Sequence, residues 1–94
     1  MFLTRGESEF EVSIRVVDSE WEGKIVEHNL SRVVPTVHLC HNWRSLDDAL
    51  AGVWRRWRRL FPDERDADVP DFHAALDASA LSYTPSGEKI AHSP

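Results

Sequence analysis

The sequence predicts an α+β fold, in which a three-stranded antiparallel meander is packed on one face by a long amphipathic helix and followed by a second, shorter helix. Apolar and polar residues alternate through residues 7–17, which is the period of a strand with one buried face. From residue 46 to residue 61 the apolar residues instead recur at spacings of three and four, which is the period of a helix. We therefore expect the strands to come first along the chain and the helices to follow them.

The strand region is predicted to contain three segments. The first covers residues 7–17 and is followed by turn residues. The second covers about residues 21–28, where Gly23 weakens the pattern. The third covers about residues 32–40 and is rich in β-branched residues, and Pro35 places it at a sheet edge or a bulge. Because sequential strands usually neighbour each other, an antiparallel meander is the simplest arrangement.

The long predicted helix covers residues 46–61. Ser45, with an aspartate three residues later, is a capping-box-like start. Pro62 ends the helix, because proline disfavours the α conformation of the residue before it. Trp54 and Trp57 belong to the apolar stripe of this helix, so we expect both indoles to be buried against the sheet.

A second, shorter helix is predicted to follow, with Asp68 as its N-cap and Pro70 in its first turn. Its apolar face would consist of Phe72, Ala75, Leu76 and Ala80. We expect residues 1–83 to form a single domain and residues 84–94 to form a flexible tail.

Charge is distributed unevenly along this acidic chain, whose formal net charge is −5. Residues 1–31 hold three Lys or Arg against seven Asp or Glu, and residues 62–94 hold two against seven. Residues 32–61 hold six against two and are therefore positive. The chain thus has a basic middle segment between two acidic ones, and the acids near residues 63–68 are close enough in sequence to pair with some of the arginines.

The basic segment is concentrated in the sequence VWRRWRRLF, residues 53–61. In one interpretation its arginines are the solvated side of a core helix, and their alkyl stems cover the margins of the apolar stripe. In the other they form a ridge that binds phosphates or carboxylates, because the guanidinium fork pairs bidentately with both. The candidate partner-binding residues are Arg44, Arg55, Arg56, Arg58 and Arg59.

The function that this pattern favours is non-catalytic protein binding, by a small inhibitor, neutraliser or adaptor that docks onto a larger macromolecule. Complementary charge steers protein association, and Arg and Trp are enriched at binding hot spots. The type of molecule is analogous to immunity proteins and phage-encoded inhibitors such as anti-CRISPR proteins, although no motif is shared with them. The alternative is a nucleic-acid-binding module that uses the arginine-rich helix 46–61, against which the acidic net charge counts.

Catalytic and cofactor motifs are missing from the sequence: it contains no phosphate loop, dinucleotide fingerprint, nucleophile elbow or metalloprotease helix. We expect neither enzymatic activity nor a cofactor. The segment HLCH lacks zinc-ligand spacing, and in a regular strand His38 and Cys40 would share one face while His41 pointed away. We therefore expect no metal site, and we expect Cys40 to be a packed structural thiol.

The single cysteine gives no disulfide framework, and no apolar stretch is long enough for a signal peptide or a membrane span. These observations predict a cytoplasmic protein with no membrane partner.

Overall fold

A four-stranded antiparallel sheet and one α-helix form the fold of residues 1–76, which are the residues that the computed structural model describes. The strands lie in the order of the chain and are β1 (Phe2–Arg5), β2 (Ser8–Val17), β3 (Glu20–Asn29) and β4 (Thr36–Trp43). They are followed by α1 (Leu46–Leu60) and by two short 3₁₀ helices, Asp66–Asp68 and Phe72–Ala75. The predicted α+β class and the long helix are confirmed, but the prediction of three strands is wrong by one.

The missed strand is β1, which pairs with β2 in a tight hairpin. Arg5 is paired with Ser8, so the loop contains only Gly6 and Glu7. Gly6 has a φ of 61°, a conformation that glycine adopts without steric cost. A strand of four residues is too short to show a period of its own, and it exists because β2 supplies its hydrogen-bonding partner.

The core lies between the sheet and α1. Alternate residues of β2 and β3 point toward the helix, and α1 buries the stripe formed by Ala49, Gly52, Val53 and Trp57. Trp57 is fully buried, as predicted, whereas Trp54 is 47% exposed, so the prediction for Trp54 is wrong. Trp54 follows the buried Val53 by one position, which rotates it by about 100° to the flank of the helix.

Ser45 caps α1 by accepting a hydrogen bond from the Asp48 amide at 3.1 Å, which confirms the predicted start.

Strand β4 begins later than predicted and contains a bulge. Val37 pairs with Val26 and Leu39 pairs with Ile25, so His38 is an extra residue between two successive pairs. The bulge changes the face on which the following side chains lie, because the side-chain period of a strand is two residues. The predicted arrangement of His38 and Cys40 on one face is therefore wrong.

Beyond the bulge, Leu39, His41 and Trp43 pair with β3 residues that face α1, so they lie on the helix side of the sheet. Cys40 pairs with Lys24 on the opposite face, which we call the open face. The Cys40 thiol is exposed, and the prediction that it is packed in the core is wrong.

The second predicted helix is a short 3₁₀ helix capped by Asp71, whose carboxylate accepts from the His73 amide, and Asp68 instead ends the preceding 3₁₀ helix. Phe72 and Ala75 are buried against the core, as predicted. The predictions for residue 80 and for the tail at 84–94 lie outside the described residues.

In the part of the chain from 1 to 76, the longest helix has 15 residues, too few to cross a bilayer.

Candidate functional site

An open groove of about 340 Å³ lies between β4 and α1 at the edge of the sheet. Its lining consists of His38, Leu39, Cys40, His41, Trp43, Gly52, Arg55, Arg56 and Arg59. One wall is therefore a strand with aromatic and imidazole side chains, and the other is the cationic flank of α1. We call this feature the cationic groove.

Trp43 forms the aromatic end of the groove and fits into a slot between two glycines. A Cβ atom on Gly52 of α1 would lie 2.2 Å from Cζ2 of Trp43, and one on Gly23 of β3 would lie 2.9 Å from its Cζ3. Helix and sheet can approach the indole this closely only because both positions lack a side chain. The His41 ring packs edge-on against Trp43, with 4.6 Å between the ring centroids. The sequence carries a signal for this slot, since a glycine interrupts both a strand and a helix, but the prediction gave these residues no function.

Three of the predicted binding residues line the groove. Arg56 is half-buried and donates from Nη1 to the His38 carbonyl oxygen at 3.0 Å, which ties α1 to the bulge of β4. Arg55 and Arg59 are exposed, and within residues 1–76 neither of them makes an ion pair. They are one helical turn apart, about 6 Å along the axis. The groove thus presents two adjacent guanidinium groups that are available to an anionic ligand.

Arg58 lies outside the lining of the groove, and its guanidinium group pairs with the segment that follows α1. Its Nη2 is 3.3 Å from Oδ1 of Asp66, and its Nη1 donates to the Glu64 carbonyl oxygen. Its guanidinium carbon also lies 6.0 Å from the centre of the Trp54 ring. The acidic stretch after the helix therefore folds back onto Arg58. Arg44 precedes α1, is exposed and lies outside the lining of the groove. The four arginines of the predicted ridge and the fifth candidate residue, Arg44, are thus divided between different surfaces.

A chain of hydrogen bonds fixes the far end of the groove. The Glu27 carboxylate accepts from the Ser8 hydroxyl and contacts Nε2 of His38 at 2.7 Å, and the Asn29 amide donates to Ser8 at 2.8 Å. The hydrogen bond from Ser8 and then that from His38 lower the pKa of Glu27 from its usual value of 4.5. Glu27 lies between the hydroxyl and the imidazole, whereas a nucleophilic triad needs the histidine in that place. The network therefore positions His38 and does not activate Ser8.

Metal ligands do not converge in the part of the chain that the structure describes: no three His, Cys, Asp or Glu side chains in residues 1–76 are placed to hold an ion.

A larger concavity, of about 620 Å³, lies beside Arg5, Glu64 and Asp68, and its arginine is paired with Glu64. Glu64 accepts from Nη2 of Arg5 at 2.7 Å and from Nε1 of Trp57 at 2.7 Å. Because Arg5 and Glu64 are engaged with each other and with Trp57, this concavity offers fewer groups to a ligand than the cationic groove.

Comparison of the chain with protein-family models, with curated proteins and with solved structures gives no match. The functional proposal therefore rests on the chemistry of the cationic groove.

Proposed function

We propose that this chain is a non-catalytic protein-binding module that uses the cationic groove to dock onto an acidic surface of a larger protein, as an inhibitor, neutraliser or adaptor. The observation that supports this proposal is the pair of exposed guanidinium groups, Arg55 and Arg59, beside the wall formed by Trp43. Arginine and tryptophan are the residues most enriched at binding hot spots, and guanidinium groups pair bidentately with carboxylates.

The rigidity of the groove favours binding. Its walls are a helix and a strand, Trp43 is held between two glycines, and Arg56 connects the two walls through the His38 carbonyl. A surface that is already ordered loses little conformational entropy when a partner binds, so more of the interaction energy is retained as affinity.

The charge around the groove favours a protein partner over nucleic acid. The open face of the sheet carries Glu9, Glu11, Glu20 and Glu22 against Arg15 and Lys24. A long polyanion that extended past the groove would meet this acidic face, whereas an acidic patch of limited size would contact the arginines alone. An acidic protein surface is therefore the favoured partner, and nucleic-acid binding through the arginine-rich helix is the competing function.

Capture of partners from a lysate of the source cells, followed by mass spectrometry, tests the proposal. The double variant Arg55→Gln/Arg59→Gln removes two charges that make no ion pair within residues 1–76, and it should keep the fold, because both side chains are exposed. Arg44→Gln, at an exposed position outside the groove, is the charge-change control. We expect a protein that is retained by the wild type and by Arg44→Gln but lost with the double variant.

Fluorescence anisotropy with duplex and single-stranded DNA, at about 50 mM salt, tests the competing function, because low salt strengthens phosphate binding. We expect no binding. Binding that weakens steeply with salt, with a log–log slope that falls by about one for each groove arginine removed, would replace the protein-binding proposal with nucleic-acid recognition.

A further inference from the structure

We infer that the partner segment that occupies the cationic groove is an acidic, extended peptide that adds a strand to the outer edge of β4. This inference rests on the proposed function and specifies the chemistry and conformation of the partner at the same site. It combines a strand edge that has no partner in the described part of the chain with two arginines that lie beside it.

The outer edge of β4 is open to pairing. The sheet order is β1-β2-β3-β4, and within residues 1–76 β4 has a neighbour on one side only. An edge strand presents unpaired amide and carbonyl groups, to which an extended peptide can bind by β-augmentation. The bulge at His38, whose carbonyl already accepts from Arg56, marks one end of the regular edge, so residues 39–43 are the segment to be paired.

Helix α1 runs antiparallel to β4, and this sets the positions of its arginines along the strand. Gly52 of α1 lies at Trp43, and Arg56 lies at His38, so α1 runs back along β4. Arg55 and Arg59 therefore lie along the same edge, about 6 Å apart by the helical rise. Alternate side chains on one face of a strand are about 6.6 Å apart. The spacing of the two arginines thus matches acidic residues at every second position of an added strand.

The other face of the added strand has different neighbours. Cys40 and Asn42 point to the open face of β4, where they pair with Lys24 and Glu22 of β3. Side chains of the peptide that lie between its acidic residues would fall beside Cys40 and Asn42. A small uncharged residue fits there, since both neighbours are short and exposed. The expected recognition sequence therefore alternates an acidic residue with an uncharged one.

A second copy of this chain is a poor occupant. Pairing two β4 edges around a twofold axis would place the groove arginines of one copy near those of the other. Like charges that are brought close together repel each other and would destabilise such a dimer. Charge complementarity therefore selects an acidic segment of a different protein.

The test uses the full chain and a fluorescein-labelled peptide of about ten residues in which glutamate alternates with threonine. A second peptide has the same sequence with every backbone amide N-methylated, which keeps its charge but removes the donors that a strand needs. A third has the same composition with its glutamates grouped at one end. Anisotropy titrations at about 50 mM salt compare wild type, Arg55→Gln/Arg59→Gln and the control Arg44→Gln.

We expect the alternating peptide to bind, and we expect at least about tenfold weaker binding for the double variant and for the N-methylated peptide. The peptide with grouped glutamates should also bind more weakly, and Arg44→Gln should bind like the wild type. In ¹⁵N-labelled protein, slowed amide exchange should appear in residues 39–43, because an added strand protects the outer amides of β4.

Equal affinity for the N-methylated and parent peptides would overturn strand addition while leaving the proposed function intact. A partner captured through Arg55 and Arg59, together with no binding of any peptide, would do the same, since the arginines would then contact a folded acidic surface. Binding of DNA with no binding of peptide would overturn both. A dimer seen by sedimentation that protects residues 39–43 would assign the edge to a second copy and would also refute the inference.

Discussion

Replacement of Gly52 by alanine should destabilise this protein, although the same substitution stabilises most helix interiors. Alanine is favoured over glycine in a helix by about 1 kcal/mol. At Gly52, however, the new Cβ would lie 2.2, 2.7 and 2.8 Å from three carbon atoms of the Trp43 indole. Carbon atoms in contact are normally about 3.5–4.0 Å apart, so the indole would have to move by more than about 1 Å.

The indole has little room for such a move, because Gly23 of the central strand β3 lies close to its other end. Overpacking a core costs about 1–3 kcal/mol, and the short approach at Gly52 places this substitution at the upper end of that range. After the gain in helix propensity is subtracted, we expect a net loss of about 2 kcal/mol in the free energy of unfolding. In a domain of this size that loss lowers Tm by roughly 10 °C.

Urea unfolding followed by tryptophan fluorescence and thermal unfolding followed by circular dichroism measure this loss. The matched control is Ala51→Gly, at the half-buried neighbouring position of α1, which should lose about 1 kcal/mol through helix propensity. If Gly52→Ala instead gained about as much stability as the control lost, Trp43 would not occupy the slot between the two glycines. The position of Trp43 at the aromatic end of the cationic groove would then be wrong.

Three further substitutions test the core and its pH dependence. Trp57→Ala should lower the free energy of unfolding by about 3–5 kcal/mol because this indole is fully buried. Trp54→Ala, at a half-exposed indole, should lower it clearly less in the same urea assay. Equal losses would contradict the placement of Trp54 on the flank of α1. Glu64→Ala should lower the free energy of unfolding by about 3 kcal/mol, because the indole N–H of Trp57 loses its acceptor. The control Asp63→Ala, at the exposed neighbouring position, should change it by less than about 0.5 kcal/mol. Similar losses for both variants would refute the hydrogen bond. Because the folded pKa of Glu27 is lowered, the stability that this carboxylate contributes is present above its unfolded pKa of 4.5 and is lost as the pH falls through its folded pKa. The urea midpoint of Glu27→Gln should therefore fall less than that of the wild type when the pH is lowered from about 5. Parallel pH profiles of the two proteins would contradict the hydrogen bonds to Glu27.

The candidate site was visible in the sequence as a set of arginines but not as a surface. Helical periodicity places Arg55 and Arg59 on one flank of α1, and this much follows from the sequence. The separation of Arg58 from them depends on the acidic segment that folds back after the helix, with Asp66 and the Glu64 carbonyl as partners. Which arginine is paired therefore depends on the path of the chain after α1, which helical periodicity does not specify.

The sequence by itself determined the features that depend on neighbours within one turn or one strand. The alternation in residues 8–17, the cap at Ser45 and the burial of Trp57 all follow from local period and local hydrogen bonding. The tertiary structure alone decided the pairing of β1, the bulge at His38 and the fit of Trp43 between two glycines. Each of these depends on a partner elsewhere in the chain, and a one-residue shift in strand pairing exchanges the faces of all following side chains. For this physical reason Cys40 is exposed and the groove is formed by His41, Trp43 and the arginines of α1.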